Sequence, residues 1–481
     1  MSTLFSKPVD RRDFLKKMSQ VGVALTFTTF GACERLAEAI RNRPTRYRMR
    51  AGGGAAVDQA ASIYSDAVRQ MKALPSTNPR SWVAQARIHG TPASFNFCRH
   101  NTLHFLSWHR AYLFYFEKIC QTLTGESKFG LPYWNWSVDP SLPPQFTVSG
   151  SPLFEPTRVR TTLSNSNIVS RTRIENILGN SNFAAFSNQL EVTPHNYVHG
   201  NISGVLGQGN SPMDPVFWLH HCMIDCIWTD WTVNRGNDNP NNGGWPQETW
   251  THFIDGDGNA ASTTAAVTSL MPLLSYQYED TNHGETEEKL ALRTRSDFQK
   301  VRRRIEKGTT VNFDIGERLE VSRGMGLDLA QAKSQKVDVR FSQMKKIIDD
   351  SDSKDRVFVS VELAKLPPAN DFFVRVYVNA PEADRNTGTE SIHFAGSFAF
   401  FGTSEFKHNH EGGHHHTSRS LVDISSTLRK LMQNDMANDD STLTLSFVAV
   451  PLDPALGQVE AALDIEKIDL IMSGVSFKSN P

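Results

Sequence analysis

Cysteine is scarce: the 481 residues hold five, Cys33, Cys98, Cys120, Cys222 and Cys226, with no paired CxxC. That excludes a disulfide scaffold and a thiolate zinc site. An excess of one charge is missing too. Fifty Lys and Arg against 51 Asp and Glu leave a formal charge of −1, so nothing electrostatic points to nucleic acid. Long apolar runs are also lacking. Val21 to Ala32 is too short to span a bilayer, and no other membrane segment is visible, so no stable membrane association is expected. What remains is 39% hydrophobic and 10% aromatic residues, enough for a sizeable core, at a length that implies two domains.

Arg11-Arg12 ahead of that apolar stretch, with Ala37-Glu38-Ala39 beyond it, resembles a twin-arginine export signal over residues 1–39. Cys33 offers a lipid anchor as the alternative end to that segment. The expectation is a periplasmic or secreted protein. Val57 to Leu74 has helical apolar spacing ended by Pro75, and all nine tryptophans and nine of the 16 histidines fall between there and Tyr278. Residues 40–285 therefore read as one chemically dense, mainly helical domain. Residues 286–335, with the charged run from Glu285 to Arg304, read as a linker. From 336 to 481 the texture changes to β-branched and aromatic alternations: Val337–Phe341, Val357–Val361, Phe372–Val378, Ser391–Phe401, Thr442–Pro451 and Val459–Ile471. These predict an antiparallel β-sandwich or barrel.

The histidines carry the chemistry. His195 and His199 are four apart, so on a helix they share one face, and His221 follows 22 residues after His199. Such a trio builds a metal site with an open position. Asp225 is placed to accept from a ligand ring or to pair with Arg110. His89, His100, His104 and His109 form a second group. No Glu-x-x-His element accompanies either group, which argues against a di-iron bundle, and all-imidazole ligation suits copper, or zinc. Spacing alone favours His100 with His104 over His100 with His109 and leaves the choice open. Cys222 and Cys226, also four apart, are expected as buried thiols.

The strings FLSWHRAYLFYFE (105–117), LPYWNW (131–136), EVTPHNYVH (191–199) and MDPVFWLHHCMIDCIW (213–228) resemble the type-3 copper proteins, specifically tyrosinases and polyphenol oxidases. The resemblance implies a four-helix-bundle core holding two copper ions, one on His89, His100 and His109 and the other on His195, His199 and His221. His104 and His220 are then neighbours rather than ligands. Cys98, two residues before His100, is similar to the family's Cys-x-His in which the sulfur is joined to the imidazole as a thioether. Tyr276-Gln277-Tyr278 resembles the Tyr-x-Tyr that closes the catalytic domain. The tail resembles the domain that shields the copper site in latent plant enzymes, with Phe400, Phe401 and Phe406 as candidate plugs. The N-terminal disulfide cysteines of the plant pattern are absent.

The implied reactions are ortho-hydroxylation of a monophenol and oxidation of a catechol to an ortho-quinone, with a phenolic small molecule and dioxygen as partners. Glu191 and Asn196 are the candidates to hold a water and take the monophenol's proton; a helix-start carboxylate stabilised by the dipole is the plainer role for Glu191. Gln208 and Asn210, in the segment where the family places gate residues, suggest substrates with polar groups. The alternatives are a catechol or ortho-aminophenol oxidase without hydroxylation, a haemocyanin-like dioxygen binder, and a metal-storage protein led by the loop His408, His410, His414, His415 and His416, whose plainer reading is a solvated loop. Oligomeric state is not legible.

Overall fold

The computed structural model describes residues 43–92, 94–100, 102–164, 166–240, 245–281, 315–328, 333–349, 356–364, 372–399, 418–451 and 462–473. The export segment, Cys33, the charged run, the three candidate plug phenylalanines and the histidine loop lie outside them. Helix α1 (Ala55–Ala73) buries Val57, Ala60, Ala61, Tyr64, Ala67, Val68 and Met71, the one-sided spacing expected of an amphipathic helix, and stops before Pro75. Three short helices start on side-chain caps. Ser81 accepts the Ala84 N–H to open α2 (Trp82–His89), Ser170 accepts that of Arg173 to open α4 (Arg171–Leu178), and Asn182 accepts that of Ala185 to open α5 (Phe183–Leu190).

The two longest-buried helices form the centre. Helix α3 (Phe105–Thr124) is hydrophobic nearly all round and ends where Gly125 turns left-handed at φ 75. Helix α7 (Val216–Thr229) has every residue buried, which accounts for the inert thiols Cys222 and Cys226. Between α5 and α6 (Asn196–Ile202) the chain makes a π-helical turn, Glu191–His195, with Pro194 inside it. Such widened turns cluster at functional sites.

A buried ionic network locks α3 to α7. Asp225 of α7 pairs with Arg110 of α3 and, at 3.1 Å, with Arg46, whose Nε reaches Glu117 at 2.9 Å. The Tyr276 and Tyr278 hydroxyls both donate to Asp225 at 2.6 Å. The expected Asp225–Arg110 pair and Tyr-x-Tyr thus belong to one cluster. Burial alone would raise the Asp225 pKa, but Arg110 and Arg46 hold it below the usual carboxylate range.

The second domain is a sandwich of two four-stranded antiparallel sheets. One sheet has the order β5 (Phe394–Phe398), β4 (Phe372–Val378), β7 (Thr442–Pro451), β2 (Lys333–Arg340). The other runs β6 (Ser418–Asp423), β3 (Arg356–Leu363), β8 (Ala462–Ser473), β1 (Ile315–Asp328). Helix α8 (Ser425–Gln433) covers one end. Among the described residues the first strand of the sandwich thus lies at Ile315–Asp328, inside the stretch expected as linker. Strand β1 escaped notice because it is an edge strand in which Glu317, Arg318, Glu320, Arg323 and three glycines interrupt and dilute the alternation of Leu319, Val321, Met325 and Leu327. Strand β6 escaped for the same want of an apolar run.

The sandwich docks on the π-turn. Ala399 N–H donates to Val192 O at 3.1 Å, Thr193 Oγ1 to Ser397 O at 2.6 Å, and Asn196 Nδ2 to Ala399 O at 3.4 Å. Phe373, Tyr377, Ala399 and Val448 join the helical core, while Val192 joins the core of the sandwich.

Candidate metal centre

Six histidines from six segments meet beneath that contact. His89 ends α2, His100 lies in the irregular chain before α3, His109 sits on α3, His195 closes the π-turn, His199 is on α6 and His221 on α7. All six are buried. The two trios abut: His109 stacks on His221 with ring centroids 4.4 Å apart, and the His100 and His195 rings are 5.4 Å apart.

The ring nitrogens divide into inner and outer sets. Nε2 of His89 and of His100 face each other at 3.3 Å, and Nε2 of His199 and of His221 at 3.2 Å. The Nε2 atoms of His109 and His195 are buried with no partner. Five of the six opposite nitrogens point outward to acceptors, and among the described residues Nδ1 of His221 is buried without one. His89 Nδ1 meets Gly209 O at 2.6 Å, His109 Nδ1 meets Phe105 O at 2.8 Å, His195 Nδ1 meets Asn196 Oδ1 at 2.8 Å and His199 Nδ1 meets Leu206 O at 2.7 Å. His100 Nδ1 lies 3.2 Å from Glu191 Oε1. Holding the outer nitrogen by a carbonyl or carboxylate fixes the tautomer and leaves Nε2 free to ligate. Two nitrogens about 3.3 Å apart also suit one ion at an imidazole bond length of about 2.0–2.1 Å, because the angle between such bonds is near tetrahedral.

Burial, reinforced by the neighbouring imidazoles, keeps these rings neutral. His89 is pushed down to about 4, and His100, His109, His195, His199 and His221 lie well below the usual range. Neutral imidazole is the ligating form. The sequence candidates are thus brought together, with His104 placed apart and His220 beside the second trio. His104 is drawn away: it stands at the N-cap of α3 and stacks on Trp245 at 5.8 Å. His220 lies within 4.8 Å, nitrogen to nitrogen, of His195, His199 and His221, but its Nδ1 accepts from Trp136 Nε1 at 3.1 Å. Cys98 is buried, forms no disulfide, and its sulfur lies within 4.8 Å of ring nitrogens of His89 and His100. Glu191 and Asn196 sit on either side of the cage, one on a ring of each trio.

The loop from Gly204 to Met213 does more than the sequence suggested. Its carbonyls at Leu206 and Gly209 orient one ring from each trio, a backbone role that leaves no side-chain signal. Entry to the loop is constrained. Ser203 has φ 57, and Gly204, at φ 65, passes so close to Thr157 that a Cβ would stand 2.2 Å from its carbonyl oxygen. Asn210 Oδ1 is buried without a partner.

Residues 79–165 and 155–234 match the family described as the common central domain of tyrosinase, and residues 317–471 match a domain of unknown function (DUF7868). Tyrosinase HcTyr1 of a Hahella strain is 29% identical over 46% of this chain, which spans 61% of that protein. The chloroplastic (+)-larreatricin hydroxylase of Larrea tridentata is 23% identical over 89% of this chain and 79% of its own length. Among solved structures, latent apple tyrosinase superposes with a TM-score of 0.62 at 19% identity, covering 90% of this chain and 97% of that one. Latent aurone synthase gives a TM-score of 0.64 at 19% identity, with 90% of each chain covered. These similarities extend the shared fold across both domains. Among the described residues no helix is long and apolar enough to cross a membrane.

Proposed function

Because its helical half belongs to the tyrosinase family through the common central domain, we propose that the chain is a dicopper phenol oxidase that hydroxylates monophenols at the ortho position and oxidises catechols to ortho-quinones with dioxygen. The observation that carries this reading is the inward convergence of Nε2 atoms from two histidine trios, five of whose six outer nitrogens are already held by acceptors. His89, His100 and His109 hold one copper, and His195, His199 and His221 the other. When bound, the pair supplies two-electron activation of dioxygen; the catechol gives up two electrons and two protons.

The chain's own residues do the rest. Burial among Phe95, Phe105 and Phe217 excludes water from the rings. Glu191, a buried carboxylate beside His100, takes the proton of an incoming monophenol, and Asn196 keeps His195 turned inward. Cys98 anchors the His100 ring through a thioether. Gln208 and Asn210 favour substrates with a polar group near the ring. The sandwich acts as a cover, because β5 rests on the turn that carries Glu191 and His195. Export through the twin-arginine route completes the reading, and Arg11→Lys with Arg12→Lys is expected to trap the protein in the cytoplasm.

Turnover of the copper-loaded full chain on tyrosine and on catechol, before and after limited proteolysis, tests the proposal. Expected are immediate catechol oxidation, tyrosine oxidation after a lag, and a rise in both once the sandwich is cut away. Catechol turnover without any on tyrosine leaves a catechol oxidase; reversible dioxygen uptake with neither refutes the enzyme.

A further inference from the structure

A crevice of about 1120 Å³ lies between the two domains, with none of the six imidazoles in its lining. Its helical wall includes the first turn of α4, and its other wall is built from β5, residues 389–392 and the first turn of α8. Each domain brings an arginine to this boundary. Arg173 of α4 donates to Ser397 Oγ at 3.4 Å and lies over the Phe394 ring at 5.2 Å. Arg375 of β4 stands opposite Ser397 in the ladder and is 9% exposed; one of its nitrogens donates to Thr387 O at 2.7 Å, and its Nε has no partner. Among the described residues neither arginine pairs with a carboxylate.

The nearby acids are engaged elsewhere. Glu175 is bound to Arg235 at 2.7 Å, and Asp423 accepts from Asn180 at 3.2 Å and from the Ser425 N–H at 2.9 Å. Glu390 folds over Gly388. Arg429 and Lys430 add positive charge to the same crevice. Burial and then the proximity of Arg375 lower the Arg173 pKa to about 10, the mark of like charges enclosed together. Such a pair is costly unless a counter-ion joins it.

We infer that this crevice is a binding site for a small oxyanion, held by the Arg173 guanidinium and the Ser397 hydroxyl, with Arg375 behind them. The guanidinium fork matches an oxyanion's paired oxygens, as an ammonium does not. Bridging residues of both domains, the ligand strengthens the seat of β5 on the π-turn and so acts at a distance from the copper ligands.

Inorganic phosphate is the probe, titrated calorimetrically into the copper-loaded full chain, with chloride at equal ionic strength as the control. Expected is saturable binding of one phosphate per chain and a rise in melting temperature that chloride does not reproduce. Arg173→Gln weakens binding about tenfold or more with an unchanged circular dichroism spectrum, Arg173→Lys weakens it less, and Glu390→Gln tightens it. Phosphate no more effective than chloride, or equal binding by wild type and Arg173→Gln, overturns the site. Neither result touches the phenol oxidase reading, which is measured by turnover.

Discussion

The two histidine trios are built differently. The second gathers three ligands within 27 residues, on the π-turn, α6 and α7, and its outward bonds run to Asn196 and Leu206 in the same stretch. The first spans only 21 residues, from the end of α2 through an irregular segment to α3, yet two of its three rings are tied to the second trio's own chain: His89 to Gly209 and His100 to Glu191. One centre stands on its own segment; the other borrows support from it. Displacement of the backbone between Glu191 and Gly209 should therefore spread to both metals, whereas truncating a single side chain there, or damage around Cys98, should stay with one.

Four substitutions sharpen or break that asymmetry. Replacing a ligand of the self-supported centre has the largest effect: His199→Ala is expected to remove one copper and lower catechol oxidation by more than about 100-fold, beyond the range for losing an outer partner, as metal analysis and turnover will show. Glu191→Gln keeps an acceptor for His100 but abolishes the base. Tyrosine hydroxylation should then fall by about 10²–10⁴-fold, the span assigned to a general base, with catechol oxidation changed far less. Equal losses on both substrates would make Glu191 a positioning residue only.

Asn196→Ala removes the partner of His195 and should weaken one copper by about 10–100-fold, read from copper retained against a chelator. It also frees Ala399 O, so latency should relax in the same variant. The smallest effect belongs to Cys98→Ser. If the thioether forms, wild type is lighter by two hydrogens than its sequence mass, and the variant loses a few-fold in affinity at the first centre alone. Loss at both centres would contradict the proposed one-way dependence.

The same asymmetry explains what was legible in the sequence. An i, i+4 spacing has meaning only on a helix, so His195 and His199 were readable as a pair where π-turn and α6 join. His100 and His104 have that spacing too, but Cys98 to His100 lie outside any helix, and His104 turns to Trp245 instead. Periodicity could not reject His104; the family resemblance pointed to His109 across the loop-to-helix junction. The sandwich was legible wherever strands are dense in β-branched and aromatic residues, as in β4, where all seven residues are buried. Its polar edge strand β1 was not. Contacts made by backbone carbonyls, at Leu206, Gly209 and Ala399, have no residue signature and emerge only once distant segments are folded together.

The central claim is that both trios hold copper within one cage. Copper content measured alongside the electron paramagnetic resonance of the oxidised full chain tests it most directly. The account predicts two coppers per chain with little or no cupric signal, because two ions sharing so small a cage couple their spins. One copper per chain, or two that give a full-intensity signal, would contradict it.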